Sequence, residues 1–389
     1  MGKNYFLKKR SKWMSYVSIF CFIVIGFLIG VIFFEQVDKF IHVNLGNGEY
    51  LLFIAVLIVE ISAGMYLHII IHEFGHLVFG LLTGYRFSSF RVGKWMWMKE
   101  NEKLVLRKYS LAGTGGQCLM VPPDIKGGKL PYVLYNLGGS IMNILFGLIF
   151  IIPYMVFSDV PYLSMFFVVA SIEGFVIGIM NGVPFSYGIV NNDGYNVMKM
   201  SEDDDALYSF WVMLKIGEQS SNGVRLKDMP AEWFMAGPFD RMKNTMVSTI
   251  GVFRANRLID EHKFEDARNY INNLLCSRAN LAGIYEILLN CDMLYCELVG
   301  KARKEEIENI YDDGMVSFMK SMKNFPSIIR TQYVYKLLYE NNMEEAEMYK
   351  KKFEKVAESF PYKADIIAER ELMEIAYGIK VFRNKNGEE

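Results

Sequence analysis

Cysteine is scarce in this chain and poorly placed for covalent or metal scaffolding. The five thiols, Cys21, Cys118, Cys276, Cys291 and Cys296, make an odd count without a CxxC pair. That excludes a disulfide framework or a cysteine zinc cage and leaves reduced or packing thiols. Histidine is equally sparse: any imidazole site must draw on His42, His68, His72, His76 or His262. Excess charge is missing too. The chain carries 42 Lys and Arg against 43 Asp and Glu, a balance that argues neither for nor against nucleic acid, and no nucleic-acid partner is expected. No small-residue cleavage site follows the first apolar run, so that run reads as a retained anchor and not a signal peptide. Long apolar runs are absent after about Met200, where the chain takes on ordinary soluble character.

Hydrophobicity is abundant and concentrated in the first half. Of 389 residues, 52 % are hydrophobic, and the length suggests two or more domains. Four stretches are long and apolar enough to span a bilayer: Trp13 to Phe34, Leu51 to Leu82, Tyr132 to Phe157 and Tyr162 to Phe185. Basic residues crowd the segment before the first span (Lys3, Lys8, Lys9, Arg10, Lys12) and the loop between the second and third, from Gly84 to Leu130. The other two loops have almost none. By the positive-inside rule this gives four spans with both termini in the cytoplasm. The expected setting is an integral membrane protein of a bacterial cell membrane.

Inside the second span lies HEFGH, His72 to His76. Histidines at i and i+4 share one helix face, about 6 Å apart along the axis, so both can reach one zinc ion. Glu73 between them is placed to act as general base. Ionisable groups at membrane depth are costly and usually functional. The loop charges set the motif in the cytoplasmic half of its span.

A catalytic zinc normally takes a third protein ligand. His68 shares the helix face but lies about 12 Å along the axis from His76, and Glu60 lies about 18 Å from His72; both are too far. His42 falls on the opposite membrane face and His262 in the soluble half. Two carboxylates stay open: Glu173 within the fourth span, and Asp193 in NGVPFSYGIVNNDGYN after it. Topology favours Asp193, because the chain returns there to the face carrying HEFGH. Pro184 and Gly188 would break the helix, and Gly194 would permit unusual backbone beside the carboxylate.

The Gly84–Leu130 loop contains β-prone stretches, RFSSFRVGKWMWM and KLVLRKYSL, separated by the polar KENE. They predict a small β-hairpin at the cytoplasmic membrane surface. GTGGQCLMVPP after it reads as irregular backbone that could line the site and offer an edge to an extended substrate. Beyond the acidic patch at Glu202 to Asp205, ALYSFWVMLKIG is too short to span and reads as a packed helix. From about Pro238 the chain reads as helical throughout, ending in a disordered tail, VFRNKNGEE. RLIDEHKFEDARNY from Arg257 echoes KLLYENNMEEAEMY from Lys336, with Ala267 matching Ala346 and Tyr270 matching Tyr349. These resemble tetratricopeptide-type helical hairpins, with a third expected around Leu288 to Met319. The fold expected is mainly α: a polytopic membrane helical bundle followed by a soluble helical-repeat domain. Its divisions are an N-terminal basic segment and anchor (1–50), a membrane core (51–216) and a cytoplasmic helical domain (217–389).

HEFGH, Asn181-Gly-Val-Pro184 with Asp193-Gly194, and NLGGSIMN with Gly139 and Asn143 together resemble the site-2 protease family of intramembrane zinc metalloproteases. The likeness covers about residues 51 to 200, with three core spans in the family's order. Ser140 stands where the family usually has Pro, and the interval from Pro184 to Asp193 is longer than the family's common spacing. The resemblance implies zinc held by His72, His76 and Asp193, with Glu73 as catalytic base. Asn143 and Asn181 are implied to hold the substrate strand or the oxyanion; as plain residues they could equally bond helices together. The implied activity is zinc endopeptidase action on membrane-anchored proteins or peptides near the cytoplasmic face, with the helical repeats docking a partner. Two other readings are a catalytically silent membrane scaffold, against which the intact His-Glu-His stands, and a metal transporter, for which only Glu60 and Glu173 could extend a polar path.

Overall fold

The computed structural model describes residues 49–100, 103–109, 114–185, 191–202, 204–277 and 279–386, with scattered helical positions between 30 and 41. The expected first span and His42 therefore lie outside the described residues, apart from positions 30, 31 and 34 of that span. Three helices are long and apolar enough to cross a membrane: α1 (Tyr50–Leu82), α2 (Tyr132–Val156) and α3 (Pro161–Gly182). At 1.5 Å per residue α1 is about 50 Å long, more than the ~30 Å of a hydrocarbon core. A four-residue link joins α2 to α3, which makes them neighbours, and Pro161 starts α3 where its missing N–H is harmless. Ser171 Oγ donates to the Gly147 carbonyl at 2.7 Å and binds α3 to α2, the kind of polar contact that joins helices where water is absent. Large apolar side chains such as Leu51, Ile58, Val59, Leu82, Leu148 and Ile152 point outward, a surface suited to lipid and not to water.

After α1 the chain forms a four-stranded antiparallel sheet: β1 (Arg86–Val92), β2 (Trp95–Glu100), β3 (Lys103–Lys108) and β4 (Gly116–Val121), in the order β3-β2-β1-β4. The expected hairpin is thus half of the element. RFSSFRVGKWMWM is two strands, turning at Gly93 with φ +56° and pairing Val92 with Trp95. GQCLMV, expected to be irregular, is the edge strand β4, pairing Gly116 with Val92 and Cys118 with Phe90. Period-2 alternation explains the sheet: β2 buries Met96 and Met98 and exposes Trp95 and Trp97. Leu104 and Leu106 of β3 are exposed as well.

The helical half comprises α4 (Asp193–Met200), α5 (Asp204–Ser221), α6 (Thr245–Asp260), α7 (Phe264–Cys276), α8 (Gly283–Val299), α9 (Lys304–Ile310), α10 (Asp313–Ser321), α11 (Pro326–Val334, continued by a π-turn to Tyr339), α12 (Met343–Ala357) and α13 (Lys363–Asn386). The echoed sequences do form matching turns. His262 before α7 and Asn341 before α12 are both left-handed, as is Ala302 before α9. Each sits two residues before its helix, about every 40 residues, a longer interval than the 34 of tetratricopeptides. The tail expected to be disordered instead extends α13 through Asn386, where Arg383 and Lys385 complement the C-terminal helix dipole.

One continuous core joins the two halves, running from Tyr85, Met120 and Tyr135 to Leu294, Val334 and Ala376. Polar ties reinforce it. Trp211 Nε1 donates to the Pro123 carbonyl at 3.0 Å, and Glu100 accepts from Arg107 at 2.7 Å and from Lys363 of α13. Within the helical half, the buried Arg330 guanidinium bonds Asp292 at 2.6 Å and Glu369 at 2.8 Å and lies over the Tyr295 ring, fastening α11 to α8 and α13. Buried Glu297 accepts from Arg303 and Arg268, and these bonds, Arg303's first, hold its carboxyl down to about 2.

Candidate metal centre

HEFGH occupies the last third of α1. His72 and His76 stand one turn apart, and their Nε2 atoms approach to 3.1 Å. Asp193, the first residue of α4, brings Oδ2 to 3.1 Å from His72 Nε2 and 3.5 Å from His76 Nε2. Among the described residues this is the cluster of His, Cys, Asp and Glu side chains with spacing for a metal ion. A tetrahedral zinc with bonds near 2.0–2.1 Å has ligand-to-ligand edges of roughly 3.3 Å, so three separations of 3.1, 3.1 and 3.5 Å fit one such ion. Two imidazoles and a carboxylate are also a donor set zinc accepts.

Neighbouring groups orient the rings. His76 Nδ1 lies 2.8 Å from the Tyr135 carbonyl; a carbonyl only accepts, so Nδ1 carries a hydrogen, and in the neutral ring that a metal requires Nε2 is the bare nitrogen. Gly139 of α2 clears space for His72, since a Cβ at that position would fall 2.5 Å from the imidazole Cε1. The Glu73 carboxyl is buried against the backbone of Gly116, filling the space a side chain there would need. The edge strand β4 thus runs beside the expected catalytic base.

Asp193 is held by a residue that sequence reading missed. Asn192 caps α4, its Oδ1 accepting from Tyr195 N at 2.8 Å and from Phe185 N at 3.0 Å. Its Nδ2 donates to the Met180 carbonyl at 2.7 Å and the Val183 carbonyl at 2.6 Å. Four bonds use the whole capacity of one amide and fold the end of α3 back onto the start of α4. An Asn immediately before an acidic helix start was the available signal. Gly194, expected to supply unusual backbone, is helical; its hydrogen faces the Gly182 carbonyl, and a Cβ would sit 2.2 Å from that oxygen. Space, not φ, is what it provides. The expected break at Pro184 is seen, as α3 stops at Gly182 and Val183 is extended, while Gly188 lies outside the described residues.

Of the remaining expected residues, only Asn143 touches one of the three donors. Glu173 packs over Gly64, two turns before His72, and Glu60 is buried a turn further along α1. Asn143 is fully buried between His68 and His72. The Asn181 amide donates to the Ile177 carbonyl of its own helix at 3.0 Å.

Three candidate spans enclosing two histidines, an aspartate and an adjacent glutamate are the attributes of a membrane-embedded metallopeptidase. The chain belongs to peptidase family M50, the site-2 protease family, whose model matches residues 60–368. That family consists of zinc metalloproteases, and with the three spans it marks the chain as an integral membrane protein. No curated protein and no solved structure is detectably similar to it.

Proposed function

We propose that this chain is an intramembrane zinc endopeptidase that hydrolyses peptide bonds of membrane-anchored proteins or peptides near the cytoplasmic face. The observation that carries the reading is the convergence of His72 Nε2, His76 Nε2 and Asp193 Oδ2 on one point beside Glu73. His72, His76 and Asp193 are the proposed ligands. Bound there, zinc would supply Lewis-acid polarisation of a scissile carbonyl and acidify a water at the site.

Glu73 accepts the proton of the attacking water and returns it to the leaving amine. Its burial between α1 and β4 keeps it close to the donors and away from bulk solvent. A helical substrate must extend before cleavage, because its carbonyls are otherwise hydrogen-bonded and shielded. β4 is the outer strand of the sheet and begins at Gly116 beside Glu73; an extended segment docking along it would displace the bonds that Arg91 and Tyr135 make to the Gly116 and Cys118 carbonyls. Of the two asparagines expected to meet the oxyanion, Asn143 has both ends of its amide against imidazoles, whereas Asn181 bonds only the Ile177 carbonyl through its amide nitrogen and has a second amide hydrogen to offer, so Asn181 is the proposed donor.

The basic Gly84–Leu130 loop supports a cytoplasmic position for the sheet, with Trp95, Trp97, Leu104 and Leu106 against the membrane surface. The expected boundary at residue 216 falls within α5, and the helical region beyond that helix is proposed to dock a partner or substrate through its hairpins. A silent scaffold would need none of the three converging donors.

Zinc content of purified protein tests the ligand set. His72→Ala, His76→Ala and Asp193→Ala should each lose most of the bound zinc, and Glu173→Ala should keep it. Loss on Glu173→Ala with retention on Asp193→Ala would replace the third ligand.

A further inference from the structure

On the side of His72 away from Asp193, the donor cluster continues into a chain of buried polar contacts. His72 Nδ1 lies 3.1 Å from the Asn143 amide. The other end of that amide lies 3.3 Å from His68 Nδ1, and His68 Nε2 lies 2.7 Å from the Ala170 carbonyl of α3. Both His68 and Asn143 are fully buried, and the edge of the His68 ring meets Phe150. Nothing in the proposed chemistry uses His68.

Counting hydrogens fixes the direction of this chain. The Ala170 carbonyl can only accept, so His68 Nε2 carries a hydrogen. A neutral imidazole has one such hydrogen, so His68 Nδ1 is an acceptor and the end of Asn143 facing it must be the NH2. The amide oxygen then faces His72, whose Nδ1 must donate. His72 is thereby left with a bare Nε2 aimed at Asp193 and His76. As placed, the amide points Nδ2 at His72 and Oδ1 at His68. A half-turn exchanges its two ends without changing its shape, so hydrogen bookkeeping decides between them. The unturned amide would require His68 to donate from both nitrogens, as a buried cation with no carboxylate bonded to it. It would also put the His72 hydrogen on Nε2, where a ligand needs a lone pair.

We propose that His68 is a positioning residue for the metal centre, acting through Asn143 to hold His72 in the tautomer whose Nε2 is free to bind zinc. His68 touches neither metal nor substrate. Its hydrogen bond to α3 sets one end of the chain, and the bare nitrogen of His72 is the other. The inference rests on the zinc reading above and adds to it a residue two positions removed from the ion.

The test uses the full chain in detergent, with zinc dissociation constants from chelator competition. Leucine removes both ring functions of His68; glutamine keeps one acceptor and one donor. His68→Leu should bind zinc ten- to a hundredfold more weakly than the unsubstituted protein, the usual effect of losing an outer hydrogen-bond partner. His68→Gln should recover to within about threefold. The lock is overturned if His68→Leu binds within twofold of the unsubstituted protein, or if His68→Gln is as weak as His68→Leu. Independently of any substitution, nitrogen-15 spectra of the zinc-loaded, histidine-labelled protein should show His72 protonated on Nδ1 and His68 protonated on Nε2 alone. A His68 protonated on Nδ1, or on both nitrogens, overturns the proposal even where the variants fold poorly. Absence of zinc binding in the unsubstituted protein overturns the metallopeptidase reading with it, whereas normal binding with an unmoved His68→Leu overturns the lock alone.

Discussion

His76 gives its Nδ1 proton to the main-chain carbonyl of Tyr135, 2.8 Å away. Tyr135, Gly139 and Asn143 are spaced by four along one face of α2, opposite His76, His72 and His68 spaced by four along α1. The two helices therefore meet as a ladder: a carbonyl orients one imidazole, a missing side chain admits the second, and an amide joins the second to the third. The metal-facing geometry of α1 is written into α2.

Gly139→Val tests that ladder at its middle rung. A Cβ there meets the His72 ring at 2.5 Å, closer than any unstrained contact, and β-branching stiffens it further. The ring must turn away, and zinc affinity should fall at least tenfold in a chelator competition while far-UV circular dichroism is unchanged. Unaltered affinity would mean that α1 and α2 separate more readily than their packing indicates.

Asn192→Ala removes four buried hydrogen bonds at the joint that sets Asp193. At roughly 1 kcal/mol each, less what solvent recovers, the loss is about 2–4 kcal/mol. Thermal unfolding should show a lower midpoint, and zinc affinity should drop with it. Asn192→Ser keeps an N-cap oxygen for Tyr195 N and gives up the ties to Met180 and Val183. It should recover part of the stability and little of the zinc affinity. Full recovery of both would reduce Asn192 to a plain helix cap.

The contrast between Asp193 and Asn192 shows how much the sequence discloses. HEFGH is legible because helix period alone puts His72 and His76 on one face, and Asp193 because topology returns the chain to that face. Asn192 is legible only as an N-cap before an acidic helix start; its ties to Met180 and Val183 lie in the preceding helix and turn, and no local pattern records them. The three core spans are legible from apolar length. β4 is not, because the glycines and prolines around GQCLMV mimic loop composition while pairing with β1 supplies the order. The left-handed turns at His262 and Asn341 show as an echo in the sequence, yet the one at Ala302 lacks the matching residues and is seen only in its backbone.

Asp365 gives the helical half a pH dependence of its own. Burial, with Glu369 and Asp260 adding repulsion, pushes its carboxyl up to about 7. Folding therefore favours the protonated form, and the stability that this contributes is present below the unfolded value near 4 and is lost as pH rises toward 7. Asp365→Asn should raise the unfolding temperature at pH 8 by a few degrees, roughly 2–5 °C, and leave it nearly unchanged at pH 4. Equal shifts at both pH values would contradict the assignment. Glu297 acts in the opposite sense, its contribution being present above about 4.5 and lost as pH falls toward 2.

The most direct measurement is a comparison of Glu73→Gln with the unsubstituted protein, both returned to cells lacking the chain, reading zinc content after purification and membrane-protein abundance by quantitative mass spectrometry. Glutamine is isosteric and cannot take a proton, so the variant should hold its zinc while turnover falls by about a hundredfold or more. Uncut forms of one or a few membrane-anchored proteins should accumulate. A Glu73→Gln protein that holds zinc and leaves every membrane protein processed as before would contradict the account.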